Sequence, residues 1–107
     1  MITELNAASF KSAVVEAPTP VLVDFYADWC GPCQTQTPML DRLSETVGSR
    51  VKMFKINVDR SPELADLFHV RSMPTLLLFS EGKIVNRFTG LTPNQILAAA
   101  IIAVLKD

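Results

Sequence analysis

Val21-Leu22-Val23-Asp24-Phe25-Tyr26-Ala27-Asp28-Trp29-Cys30-Gly31-Pro32-Cys33 is the stretch that decides how this chain folds. Its first seven residues are nearly all apolar instead of alternating, the pattern of a strand buried on both faces, and only Asp24 interrupts it. The residues after Cys30 turn helical in period, so a strand delivers two thiols to the start of a helix. The chain has 2 cysteines, and both lie here. Unpaired N–H groups and the macrodipole at a helix start favour a negative sulfur, so Cys30 should ionise readily and act as nucleophile. Cys33 lies one turn further on, where it should be the less exposed thiol and should resolve the bond that Cys30 makes. The same spacing suits a Cys30–Cys33 disulfide without much backbone movement. Gly31 leaves the approach open, and Pro32 has no N–H to satisfy and a preset helical φ.

Other uses of two close thiols are weaker on physical grounds. A bridge between them closes a loop of only about four residues, which on the chain-entropy model stabilises by ~2 kcal/mol against more than 4 for a loop of about 100 residues. A structural zinc site wants four ligands, and outside the cysteines this chain offers one histidine, His69, far off in sequence. Two inert buried thiols remain open as an alternative, although the Gly-Pro between them argues for exposure and reactivity.

Working outward, Ile2 to Leu5 reads as a short edge strand. Asn6 is a candidate N-cap for a helix with Phe10, Ala13, Val14 and Ala17 on one face, ended by Pro18-Thr19-Pro20. Beyond the cysteines, Leu40, Leu43 and Val47 form the apolar stripe of a long helix that Pro38 should bend and Gly48 should stop. Val51 to Val58 is a second buried strand. Ser61 and Pro62 open a short helix that buries Leu64, Leu67 and Phe68. Thr75 to Phe79 and Ile84 to Phe88 flank Ser80-Glu81-Gly82-Lys83, a hairpin signal. Thr92-Pro93-Asn94-Gln95 combines a cap, a first-turn proline and a capping-box Gln ahead of the last helix. Strands alternating with helices, then a hairpin, specify an α/β fold: a mixed sheet with a parallel core and an antiparallel edge, flanked by helices.

The 107 residues suit one domain spanning 1–107. With 49% apolar and 20% charged residues the chain is of globular composition. A net charge of −1 without a block of like charge excludes the usual signature of nucleic-acid or anionic-membrane binding. The longest apolar run, Ile96 to Leu105, is too short to span a bilayer. Met1 to Asn6 lacks a basic start followed by an apolar stretch, so the expected location is cytoplasmic.

Val23 through Cys33 closely resembles the active-site stretch of the thioredoxin family. The likeness extends through Phe54 to Asp59, Met73 to Phe79, Glu81-Gly82-Lys83 and Thr89-Gly90. The resemblance implies a thioredoxin fold of about five strands and four helices. It also implies a protein-disulfide oxidoreductase, with no bound cofactor beyond the redox-active Cys30–Cys33 disulfide. Its partners would be disulfide-containing proteins and a thioredoxin reductase, and the protein would act as a monomer. Asp24, a carboxylate whose pKa desolvation should raise, would lie beneath the CxxC and move the proton of Cys33, with Lys55 as its partner. A cis Met73–Pro74 bond would face the disulfide and leave the Met73 backbone free to pair with an extended substrate segment. Trp29, Gly31, Pro32, Met73, Pro74 and Gly90 would receive that segment. The chain departs from the commoner family pattern at Tyr26, where many members have Trp, at Ser72, where Gly is frequent, and along Gln34-Thr35-Gln36-Thr37. Partner choice is expected to differ from that of relatives there. The rival readings are an oxidant or isomerase of an oxidising compartment, against which the Gly-Pro dipeptide weighs, and a binding module that grips partners without turnover.

Overall fold

A computed structural model describes residues 2–105. Among them are five strands and four helices, in the order expected. These are β1 (Thr3–Glu4), α1 (Ala7–Phe10), β2 (Val21–Tyr26), α2 (Gly31–Val47), β3 (Lys52–Asn57), α3 (Pro62–Leu67), β4 (Thr75–Ser80), β5 (Lys83–Thr89) and α4 (Asn94–Leu105). The sheet runs β1-β3-β2-β4-β5. β1, β3 and β2 are mutually parallel; β4 runs antiparallel to β2, and β5 antiparallel to β4. This is the thioredoxin fold. None of the helices described is long and apolar enough to cross a membrane.

β2 lies at the centre because its side chains have an apolar partner on either face. Val21, Val23 and Phe25 point to the layer of α1 and α3, with Phe10, Leu64 and Phe79. There the rings of Phe10, Phe25, Phe68 and Phe79 meet at centroid separations of 5.3–6.1 Å, tilted or edge-on, as aromatic quadrupoles prefer. Leu22 points the other way, to the layer of α2 and α4, with Leu40, Leu43, Val47, Leu97 and Ile101. Alternation along the strand puts Asp24 and Tyr26 on that second face, the one covered by the cysteine-bearing helix.

Several local expectations hold in detail. Asn6 accepts from the Ser9 N–H, and the Ser9 hydroxyl accepts from the Asn6 N–H in return. After Phe10 the helix widens into π turns over Lys11–Val15. The β4–β5 turn places Glu81 and Gly82 at φ 54° and 77°, a geometry that suits glycine. A side chain at Gly82 would also meet the Val15 carbonyl oxygen at 2.9 Å.

Two local expectations fail. Leu67 is 62% exposed, because six-residue α3 turns Leu64 and Ala65 inward instead. Ser61 is the N-cap residue of α3 with Pro62 at its start, as expected, although its side chain makes no capping bond; Asn57 Oδ1 fixes the preceding turn, accepting from the N–H groups of Asp59 and Arg60. Thr92 does not cap α4. Its backbone is engaged elsewhere, as described below, so the Pro93 carbonyl accepts the first helical N–H groups, from Ile96 and Leu97, and Gln95 is left exposed.

Candidate redox site

Cys30 ends the loop after β2 and occupies the N-cap position of α2, with extended backbone (φ −89°, ψ 111°). Cys33 lies one turn inside, its Cα 5.3 Å from that of Cys30, and the two sulfurs are joined in a disulfide. The Cys33 N–H, one of the donors a helix start leaves unused, donates to Cys30 Sγ at 3.3 Å. Both cysteines are buried, Cys33 the more deeply, at 2% against 5% exposed. The Met73 carbonyl oxygen lies 3.5 Å from Cys30 Sγ. Met73–Pro74 is cis, as the resemblance implied. Gly90 is tied to the same segment, its N–H donating to the Pro74 carbonyl at 2.8 Å.

Around this pair Gly31 and Pro32 are exposed. Trp29 is 68% exposed, and its indole N–H donates to Asp59 Oδ2 at 2.8 Å. The ring is held at the surface by a polar bond, with an apolar body available to a partner. Pro38 lies within α2 without ending it.

Asp24 is 2% exposed, and its Oδ1 has no hydrogen-bond partner. Burial pushes its pKa up from 3.8 to about 7, and the charge of Lys55 offsets only part of that rise. Asp24 and Lys55 are paired in register on β2 and β3. The Lys55 ammonium nevertheless lies over the Tyr26 ring, 5.3 Å from its centroid, and acts on Asp24 through space. A cleft of about 190 Å³ lined by Tyr26, Ala27, Asp28, Cys33, Gln34 and Thr37 opens beside the second cysteine. Among the described residues no group of three or more His, Cys, Asp or Glu side chains converges. His69 sits alone and exposed after α3, at φ 56°.

Two further contacts between residues distant in sequence frame the site. Arg60 grips Glu4 with two hydrogen bonds, Nε to Oε2 at 2.9 Å and a terminal nitrogen to Oε1 at 2.8 Å. Tyr26 donates its hydroxyl to the same Oε1 and accepts from Arg60 at 3.0 Å, and a second Arg60 nitrogen lies 3.5 Å from Asp28 Oδ2. Tyr26 is thereby drawn toward β1. Glu4 and Arg60 are 56 residues apart, so no spacing rule could have joined them. The second contact is Gln36, fully buried and bonded through both ends of its amide to the backbone of Thr92. Of the run Gln34 to Thr37, Gln34 and Thr35 are exposed, Thr37 is half-buried and Gln36 faces the interior.

The Arg60 hydrogen bonds hold the Glu4 carboxyl down at about 2, from an ordinary 4.5. A depressed carboxyl contributes stability that is fully present above pH 4.5 and is lost as pH falls toward 2. The pair is partly exposed, so the contribution is modest. Glu4→Gln is therefore expected to lower the urea midpoint at pH 6 and to leave it unchanged near pH 2. A deficit of equal size at both would place its cause elsewhere.

Comparison with known proteins agrees with this geometry. The family model described as Thioredoxin matches residues 1–103. The chain is 40% identical over 100 residues to a thioredoxin of Pyropia yezoensis, covering 94% of each chain. It is 42% identical over 91 residues to thioredoxin 1 of Synechococcus elongatus, covering 85% of each. To a thioredoxin of Rickettsia felis it is 42% identical over 83 residues, covering 78% of this chain and 79% of that one.

Proposed function

The chain belongs to the thioredoxin family, a family of protein-disulfide oxidoreductases, and on that premise we propose how its two sulfurs divide the reaction. The protein carries out dithiol–disulfide exchange on disulfide-containing target proteins with the Cys30–Cys33 pair. In its reduced form the Cys30 thiolate attacks one sulfur of a target disulfide. The target S–S bond breaks, its second sulfur leaves as a thiolate and takes a proton, and a Cys30–target mixed disulfide remains. Cys33 then gives up its proton to Asp24 and attacks Cys30 Sγ. That step breaks the Cys30–target bond, releases the other target sulfur as a thiolate and forms Cys30–Cys33. Two electrons have passed to the target, whose first thiolate takes its proton from solvent and whose second can take the proton left on Asp24. Lys55 favours the ionised Asp24 that receives this proton, offsetting part of the effect of burial. Trp29, Gly31, Pro32 and Gly90 border the groove, and the target segment lies along the Met73 backbone ahead of Pro74 as an added strand.

One observation carries the division of labour. Cys30 caps the helix with an N–H directed at its sulfur, whereas Cys33 is inside the helix and more deeply buried. The wider cycle follows from the chemistry: the protein leaves each turnover oxidised, and a thioredoxin reductase must recharge it. We place it in the cytoplasm, as a single domain working as a monomer. The cycle is tested by following reduction of insulin disulfides with the protein supplied by an NADPH-dependent flavin reductase or by a ferredoxin-dependent one. Turnover with either supports the cycle. Stoichiometric reduction by the pre-reduced protein, with no turnover from either reductase, would overturn the recharging step. Insulin binding without any reduction would instead favour a binding module.

A further inference from the structure

Gln36 occupies a place where helix periodicity calls for an apolar side chain. Cys33, Gln36, Leu40, Leu43 and Val47 form one buried stripe along α2, and Gln36 is 0% exposed within it. A buried amide is costly unless both its ends are bonded. Here both are: Gln36 Nε2 donates to the Thr92 carbonyl at 2.8 Å, and Gln36 Oε1 accepts from the Thr92 N–H at 2.8 Å. The side chain thus pairs with Thr92 as a neighbouring strand would.

The bonds continue past Thr92. Its hydroxyl donates to the Gly90 carbonyl at 2.9 Å, and the Gly90 N–H donates to the Pro74 carbonyl at 2.8 Å. Next to Pro74 is Met73, whose carbonyl faces Cys30 Sγ. On the far side, Asn94 Nδ2 donates to the Met39 carbonyl at 2.7 Å and fastens the start of α4 to α2. The Gly90–Asn94 segment is therefore hung from the cysteine-bearing helix and from the cis-proline strand together. Gly90 itself has φ +88°, and nothing lies within 4 Å of where its side chain would be. The space beside it is open to an incoming chain.

We propose that Gln36 is a positioning residue for target recognition: by holding Thr92 it sets the height of the Gly90 wall above the Cys30–Cys33 bond. This rests on the reading of Gly90 as part of the target groove. Gln36 touches neither sulfur, so it acts on docking of a polypeptide and not on the exchange chemistry. A small aromatic disulfide reaches Cys30 without the groove, whereas a folded protein target needs all its walls.

The test compares the wild type and Gln36→Leu, which removes both hydrogen bonds, on insulin and on a small aromatic disulfide. The expected result is a KM for insulin raised about tenfold with kcat nearly kept, the scale of effect of a loosened positioning contact. The rate on the small disulfide should stay within about twofold, since its attack uses no wall. Equal losses on both substrates, or no change on either, overturn the proposal. A wild type that reduces neither substrate overturns the redox reading beneath it. The Thr92 amide supplies a measurement that needs no variant. Hydrogen exchange as slow as that of β4 amides supports the clamp, and exchange at the rate of an open loop overturns it.

Discussion

Cys33→Ser should convert the protein from a catalyst into a trap. Mixed with a target disulfide, the reduced variant is expected to accumulate a covalent adduct through Cys30, stable without reductant and released by dithiothreitol. The wild type should show none at steady state. The reason is positional. Cys33 lies one helical turn from Cys30 with its Cα 5.3 Å away, so it is the intramolecular nucleophile that clears the mixed disulfide. A serine hydroxyl at that place cannot displace a thiolate, so the first bond forms and the second step fails. Turnover should drop by ~10³-fold or more, as when a member of a concerted catalytic set is removed. Cys30→Ser should lose turnover as completely yet trap nothing. Trapping by Cys30→Ser alone would reverse the assignments. Adducts are read on a non-reducing gel and by intact mass.

Asp24→Asn should slow the second step and stabilise the fold, each with its own pH dependence. A buried carboxyl that titrates near 7 is matched to accept a proton near neutral pH, and removing a positioned base costs roughly 10²-fold or more. The variant keeps both cysteines, so at pH 7 mixed disulfide should build up transiently during turnover. The stability effect has the opposite sign. A raised carboxyl pKa means that the folded protein holds this proton more tightly than the unfolded chain does. Stability is then greatest below the ordinary value of 3.8, declines as pH rises toward about 7, and levels off above it. Asparagine does not titrate. The variant should match the wild type near pH 4 and exceed it at pH 8. The interval from 3.8 to about 7, at about 1.4 kcal/mol per pH unit, sets a ceiling of ~4 kcal/mol. The missing partner of Oδ1 points the same way, since the carboxylate has little to lose. Urea midpoints of the oxidised proteins at the two pH values measure it, and a gain independent of pH would contradict a buried titrating carboxyl.

How much of this was legible depended on whether the cause was local. The nearly all-apolar run of β2 announced a central strand, Asn6 announced its helix, and the Glu81-Gly82 turn announced the hairpin. In each case neighbours in sequence supply the physics. Leu67 misled because a six-residue helix has too few turns for its stripe to be read. Asp24 stood out as a charge in an apolar strand, but the extent of its isolation did not. That extent depends on Lys55 turning to the Tyr26 ring, and Tyr26 is turned by Glu4 and Arg60. Gln36 carried a signal that went unused: it falls on the same helical stripe as Leu40, Leu43 and Val47. A glutamine on a buried stripe must have partners, although nothing local says that they are 56 residues away. The same amide occupies the Thr92 carbonyl, so the first helical N–H groups of α4 go to the Pro93 carbonyl instead.

The central claim is that helix geometry makes the two thiols unequal, and selective alkylation of the fully reduced protein tests it most directly. Brief exposure to iodoacetamide at pH 6 to 7, followed by peptide mass analysis, should show modification at Cys30 alone, with Cys33 modified only after denaturation. Modification of Cys33 first, or of both cysteines at equal rates, would contradict the account.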